Sequence, residues 1–302
     1  GPVPEGRAFS TLEDAKEFVQ STGFPLVVKP LDGHHGEAVT NNIKNYPDLA
    51  QAFERAKECS DEVIIERHLS GFDYRILVID GKFSAAALRE PAHVIGDGTH
   101  TIRELVDEVN SDPLRGEGHD NYLTKIELDD VSKNLLKTKG MDEETVLPKG
   151  RRVFLKPTAN LSTGGTAIDV TDDVHPENKI LAERVAALVG LDICGIDLIA
   201  HNIDTPLKKE KDGIVEVNAG PGLRMHLQPS FGPSRDVAKD IVDMLFPVEQ
   251  NHDLPICAVT GTNGKTTTSL LIHAILRQAG HHVGLTTTQG VKIDDQVVLK
   301  GD

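Results

Sequence analysis

Residues 194–222 decide the fold: Cys194-Gly195-Ile196-Asp197-Leu198-Ile199-Ala200, a polar connection, Gly213-Ile214-Val215-Glu216-Val217-Asn218, then Ala219-Gly220-Pro221-Gly222. Both apolar runs are short, rich in β-branched residues and bounded by glycine, so they read as neighbouring strands of one hairpin. Strand alternation puts Glu216 and Asn218, two residues apart, on one face, with Asp197 on the partner strand. Oxygen ligands so arranged suit Mg²⁺ bridging nucleotide phosphates; strand-end carboxylates facing water are the plain alternative for either strand by itself.

Working outward, strands and helices alternate. Thr11 to Val19 reads as a capped helix, Pro25 to Pro30 as a strand, Pro47 to Cys59 as a second helix and Val63 to Glu66 as a strand. Tyr74–Ile79, the turn Asp80-Gly81 and Lys82–Ala87 form an antiparallel hairpin, because Asp-Gly supplies the positive φ angles of a two-residue turn. From about Pro91 to Gly150 the apolar pattern thins while charge, Gly and His rise, which points to a long insertion rather than core. Arg151–Leu155 then reads as a strand, Pro176–Val189 as a helix, and Ser234–Leu245 as the helix that closes the unit. Lys29, at the end of an apolar strand and followed by the glycine-bearing loop 32–39, suits a phosphate-binding lysine under a flap; a lysine that snorkels from a buried strand fits as well.

Residues 247–253 read as a linker, and the chain is divided accordingly into 1–247, 248–254 and 255–302. After the linker come a short buried strand, Ile256–Thr260, the loop Gly261-Thr262-Asn263-Gly264 and a helix from Lys265 to Ala279. Backbone N–H groups of a glycine turn at a helix N-terminus make an anion hole, Lys265 reaches phosphate, and Thr266 offers a hydroxyl for Mg²⁺. Val259 stands where the general phosphate-loop pattern has its first glycine. A strand–loop–helix–strand piece of about 50 residues exposes too much apolar surface to stand alone, so this unit is expected to be cut before it is complete.

Composition narrows the classes. The 302 residues are 38% hydrophobic and 26% charged, with 47 acidic against 32 basic residues and a formal charge of −15. That sign disfavours a nucleic-acid backbone or an anionic membrane as partner. The dispersed cysteines Cys59, Cys194 and Cys257 support neither a disulfide framework nor a zinc knuckle, and the absence of a spanning or signal segment leads us to expect a cytoplasmic protein.

Taken in order, residues 1–247 resemble the ATP-grasp ligases: Pro2-Val3-Pro4, Val27-Val28-Lys29-Pro30, the flap at 33–38, Ile64 through Asp73, Gly195-Ile196-Asp197 and Glu216 through Gly222. Gly261 through Thr267 resembles the phosphate loop of Mur-type amide ligases. The fold class implied is an α+β ATP-grasp unit of two lobes with a long insertion, then the beginning of an α/β P-loop unit. By the resemblance Lys29 contacts phosphates, Glu66, His68 and Leu69 belong to the adenine hinge, Asp73 meets the ribose, and Asp197, Glu216 and Asn218 hold Mg²⁺. Gly261, Thr262, Asn263, Gly264, Lys265, Thr266 and Thr267 are assigned a second ATP. His34, beside His35 on the flap, is either a solvated loop residue or a phosphate contact.

An ATP-grasp unit followed by a Mur-type unit resembles the cyanophycin synthetase family. Further support lies in Gly71 through Arg75, Thr158 through Asp169 and Ala219 through His226. That resemblance implies ATP and Mg²⁺, the substrates aspartate and arginine, a cyanophycin polymer or primer, and a homo-oligomer, a tetramer by the family. The first site is expected to extend a poly-aspartate backbone and the second to put arginine on its side chains, both through acyl phosphates. Arg75 and Arg224 are candidates for neutralising the transferred phosphoryl or gripping a carboxylate, with a solvated strand residue the alternative for Arg75. Asn160, Ser162, Gly164 and Gly165 offer polar groups that suit the polymer's terminal carboxylate, or form a plain glycine turn. Competing readings are a dipeptide ligase sharing the ATP-grasp unit, a synthetase that condenses Asp-Arg dipeptides, and a non-catalytic nucleotide-binding module.

Overall fold

Two antiparallel sheets carry the residues singled out in the first part of the chain. The computed structural model describes residues 2–32, 38–117, 121–209, 211–247 and 254–301, and the chain divides into two units, Gly1–Pro247 and Val248–Asp302. In the first sheet Gly6–Phe9 (β1), Leu26–Pro30 (β2), Thr40–Ile43 (β3) and Val63–Arg67 (β4) run in the order β1-β4-β2-β3. Lys16–Thr22 (α1) and Tyr46–Lys57 (α2) bury Phe18, Val19, Leu49 and Phe53 against Leu26, Val28, Ile43, Val63 and Ile65. The α2 start is set by Asn45, whose side-chain oxygen accepts from the Asp48 amide at 2.9 Å. The first helix begins later than the sequence suggests. Thr11 instead closes a local turn, accepting from the Asp14 amide at 3.2 Å and donating to the Asp14 carboxylate at 2.6 Å, bonding that competes with a helix.

Phe72–Ile79 (β5) and Lys82–Glu90 (β6) form the expected hairpin, with φ of +52° at Asp80 and +67° at Gly81. The next segment is the inserted one: His93–Ile95 (β7), Ile102–Asn110 (α3), Arg115–Gly116 (β8), Leu123–Thr124 (β9), Asp130–Thr138 (α4) and Arg152–Phe154 (β10). It is not devoid of core. Val94, Ile102, Leu105, Val106, Leu136, Leu147, Val153 and Leu155 form a separate buried cluster. The sparse apolar residues of this segment suffice because a short helix needs one buried stripe, and α3 is fixed by a full capping box between Thr101 and Glu104.

The second sheet is completed by Thr166–Asp169 (β11), Ile193–Ala200 (β12) and Gly213–Asn218 (β13), in the order β11-β6-β5-β12-β13. Pro176–Val189 (α5) covers one face, where Tyr74, Ile76, Val78, Ile196 and Leu198 are buried with Ala182 and Ala186. Arg224–Leu227 (α6) and Val237–Leu245 (α7) pack with Leu77, Ile79 and Ala85, which alternate to the other face. Along β12 and β13 Asp197 is opposite Glu216 but Leu198 is opposite Ile214, so Val215 is an extra residue at a bulge. The bulge lets Ile214 pack on the apolar face while Glu216 stands beside Asp197 on the other.

In the second unit Lys265–Gln278 (α8) precedes an antiparallel meander of Gly284–Thr287 (β14), Gly290–Ile293 (β15) and Gln296–Lys300 (β16). The strand expected at Ile256–Thr260 does not form; Ile256 is 84% exposed. A strand exists only where a partner satisfies its backbone groups, and the described strands of this unit pair with one another.

Candidate functional site

The registers of the second sheet place one residue from each strand in a row: Asp169 (β11), Ala87 (β6), Arg75 (β5), Asp197 (β12) and Glu216 (β13). Directly opposed residues of an antiparallel pair share a face. The rows on either side add Arg89 opposite Asp73, and Asn218 opposite Gly195. One face is therefore apolar and covered by α5, while the other gathers charge from strands far apart in sequence.

Within this face Arg75 grips Asp197 with two nitrogens: Nε donates to Oδ1, and Nη2 to Oδ2 at 2.9 Å. Arg89 Nη2 lies 3.1 Å from the same Asp197 oxygen and donates to Asp73 Oδ1 at 2.6 Å, with its Nε at 2.8 Å. Both guanidiniums and Asp197 are almost fully buried. Burial pushes the Asp73 carboxyl above its usual range against the pull of Arg89. Burial also works to lower Arg89, but the carboxylates of Asp73 and Asp197 outweigh it and hold the guanidinium above its ordinary value. Gly195 is the floor of the Arg75 stem: a Cβ there would stand 2.9 Å from Nη1 and 2.7 Å from the Pro221 Cβ.

Asp197, Glu216 and Asn218 fit a hard divalent cation in donor chemistry, being two carboxylates and an amide on one face with Asn218 Nδ2 at 3.5 Å from Asp197 Oδ2. Among the described residues no group of three or more His, Cys, Asp or Glu is placed to hold a metal. Glu216 is exposed, whereas Asp197 has both oxygens engaged by arginine. A cation held there would compete with Arg75 for the same carboxylate.

On the first sheet Lys29 Nζ donates to Glu66 Oε1 at 2.9 Å, the two side chains reaching each other from β2 to β4. His68 is half-buried, and burial followed by the nearby Lys44 depresses its basicity. Its amide donates to the Pro25 carbonyl at 3.1 Å. Leu69 packs under Gly213, where a Cβ would lie 2.7 Å from its Cδ1. His34 and the rest of the flap, 33–37, lie outside the described residues.

Arg224 does not join the Arg75 cluster. It donates to the Asn121 carbonyl at 2.7 Å and approaches the Thr124 hydroxyl at 3.3 Å, and burial lowers its basicity. Arg115, not singled out from sequence, is buried and donates to the carbonyls of Thr124 at 2.6 Å and Gly164 at 3.3 Å. Arg224 thus ties the inserted segment to α6, and Arg115 ties the same segment to the turn at 160–165. There Gly165 donates to the Asn160 carbonyl at 3.1 Å, and a Cβ on Gly164 would lie 2.7 Å from Ile126 Cγ1. Asn160 and Ser162 leave their side chains exposed. Sequence reasoning also passed over Arg89, the Arg235–Asp169 pair at 2.6 Å and the buried His226. Arg89 shares a strand pairing with Asp73, but that register was beyond a reading that ended the strand at Ala87.

In the second unit Gly261 and Gly264 take positive φ, +146° and +80°, and α8 starts at once. Lys265 Nζ folds back to donate to the carbonyls of Gly261 at 2.6 Å and Thr262 at 3.3 Å. Asn263, Thr266 and Thr267 flank it on an exposed loop and first turn.

The comparisons with known proteins follow this division. A prokaryotic glutathione synthetase ATP-grasp domain matches residues 3–97, and a Mur ligase middle domain matches residues 259–300. A cyanophycin synthetase of Trichormus variabilis is 51% identical over 302 residues, all of this chain and 34% of that protein; one of Synechocystis sp. is 49% identical over 304 residues, again all of this chain and 35% of that protein. The chain thus spans about a third of the length of these curated relatives. A crystal structure of a bifunctional glutathione synthetase from Pasteurella multocida superposes with a TM-score of 0.61 at 34% identity, covering 82% of this chain and 34% of that one. The fold is ATP-grasp, followed by a stretch of Mur ligase middle domain.

Proposed function

Because this ATP-grasp chain is similar along its whole length to cyanophycin synthetases, we propose that it carries the ATP-dependent carboxylate–amine ligase sites of such an enzyme, with aspartate, arginine and the growing polymer or its primer as substrates. The observation that supports the first site best is the charged face of the second sheet, where Arg75, Arg89, Asp73, Asp197, Glu216 and Asn218 converge in one unit with the Lys29–Glu66 pair.

Chemically, a carboxylate accepts an amine only after one of its oxygens becomes a leaving group. A polymer carboxylate oxygen attacks the γ-phosphorus of ATP and ADP departs; the amine nitrogen of aspartate then attacks the acyl carbon, phosphate departs and the amine loses a proton. Protein groups act mainly by position and charge. Lys29 serves the nucleotide phosphates, the segment Glu66–Leu69 holds the adenine with Asp73 near the ribose, and Arg75 offsets charge on the transferred phosphoryl. A Mg²⁺ ion held by Asp197, Glu216 and Asn218 would supply further charge neutralisation. Asn160, Ser162, Gly164 and Gly165 receive the polymer's terminal carboxylate, and Arg224 serves by fixing the inserted segment to α6.

At the second site the loop Gly261–Thr267 binds another ATP, and Lys265 exchanges its carbonyl partners for phosphate oxygens to activate the side-chain carboxylate that takes arginine. We place both reactions in the cytoplasm and in a homo-oligomer; among the described residues no helix is long and apolar enough to cross a membrane. The experiment is product mass from the full-length protein with ATP and a short β-Asp-Arg primer, given aspartate, arginine, both, or Asp-Arg dipeptide. Stepwise growth by single aspartate and arginine units is expected. Growth on dipeptide alone would replace this reading with the dipeptide-condensing one.

A further inference from the structure

His226 is 1% exposed, and neither ring nitrogen has a hydrogen-bond partner among the described residues. Its backbone is pinned, since its amide donates to the Leu223 carbonyl at 2.9 Å and its carbonyl accepts from the Arg235 amide at 2.9 Å. A packed interior rarely keeps two polar atoms of one ring idle without a use for them. The short helix α6 that carries it packs on β6 and β11, where the charged row drops to the small Ala87.

The charged groups around the ring are Arg75, Arg89 and Asp169. Asp169 is no spare partner: Arg235 holds it with Nε at 3.1 Å and Nη2 at 2.6 Å, and the Thr171 hydroxyl donates to it at 2.6 Å. Burial first, and Arg75 next, keep the ring neutral, with a pKa lowered to about 4. A neutral imidazole has one acceptor nitrogen, and the cationic donors near enough to act on it are the guanidiniums of Arg75 and Arg89. Of these, Arg89 keeps Asp73 whatever happens to Asp197, whereas the two hydrogen bonds of Arg75 among the described residues both run to Asp197.

We propose that His226 is a positioning residue that gives Arg75 a second seat: when Asp197 turns to a divalent cation, the released guanidinium donates to the idle ring nitrogen and stays on the charged face. The inference rests on the reading of Asp197, Glu216 and Asn218 as the cation site. It resolves the competition for Asp197, because the cation need not leave a buried guanidinium unpaired.

The test uses the full-length protein with Mn²⁺ as the probe, its binding followed by electron paramagnetic resonance in the presence of a non-hydrolysable ATP analogue. His226→Phe should weaken Mn²⁺ binding about tenfold, the scale of one hydrogen bond to a charged group. One of His226→Asn and His226→Gln should restore it, since each keeps an acceptor near one of the two ring positions. Mn²⁺ affinity unchanged in His226→Phe overturns the proposal, and so do amide variants as weak as His226→Phe. Glu216→Gln separates the two layers: if it binds Mn²⁺ like the wild type, the cation reading fails and takes the second seat with it. If Glu216→Gln is weakened and His226→Phe is not, only the second seat falls. Should His226→Phe not fold, ¹⁵N-histidine spectra of the wild type with and without Mg²⁺ and the analogue decide: a shifted His226 ring nitrogen supports the pairing, and an unmoved one overturns it.

Discussion

Lys29 and Lys265 are proposed for the same task, yet the molecule holds them in opposite ways. Lys29 is tied to Glu66, 37 residues on, across two strands of a sheet. Lys265 is tied to carbonyls three and four residues behind it in its own loop. One site is a product of the fold and the other of a few consecutive dihedral angles. The first therefore depends on remote partners and buried charge, while the second sits exposed and nearly self-contained.

The sharpest way to break that contrast is at Asp197. Asp197→Asn removes the carboxylate shared by two buried guanidiniums, and a buried ion pair that loses one partner costs about 3–5 kcal/mol. A urea titration followed by circular dichroism should show the loss; a midpoint within error of the wild type would mean that the charges are hydrated. Lys265→Ala probes the other region. Arginine addition should fall about 10²- to 10³-fold, as when one transition-state donor is removed, while one aspartate addition per primer persists in the product mass. Loss of aspartate addition as well, in a folded protein, would undo the two-site assignment.

A third contrast is in pH. His226 is held near 4, below its ordinary 6.5, so between those values the unfolded chain binds the proton and the folded one does not. Stability is then fully present above about 6.5 and is lost as pH falls toward 4, by roughly 3 kcal/mol for this group. Measured at pH 7 and pH 4, the stability gap between wild type and His226→Phe should shift by that amount; a constant gap would contradict a buried neutral ring. Smaller still, Glu216→Gln should lower aspartate-dependent ATP turnover about tenfold at limiting Mg²⁺ through loss of one ligand charge, sparing arginine-dependent turnover. Last, Asn45→Ala should cost about 1 kcal/mol of stability through the lost α2 cap, with both additions unchanged.

What the sequence disclosed follows the same division. The Gly261–Thr267 loop, the Asp80-Gly81 turn and the helix Pro176–Val189 are local patterns, and each is found where its residues indicate. Glu216 and Asn218 on one face follow from alternation alone. Arg89, Arg115 and His226 were not legible, because their importance lies in neighbours 16 and 49 positions away, for the two arginines, or in burial that no periodicity records. The run Ile256–Thr260 failed for a related reason: apolar β-formers state a preference, but pairing needs a second strand.

The bulge at Val215 has a consequence for how β13 tolerates change in length. In a regular strand, losing one residue exchanges the two faces for everything beyond it, the worst alteration a strand can undergo. Here the strand already carries a surplus residue, with Ile214 assigned to one face and Glu216 to the other across it. Removing Val215 would delete the surplus and leave both assignments intact. Of the single-residue deletions open to this strand, the one beside the cation-ligand candidates is the one the sheet can absorb.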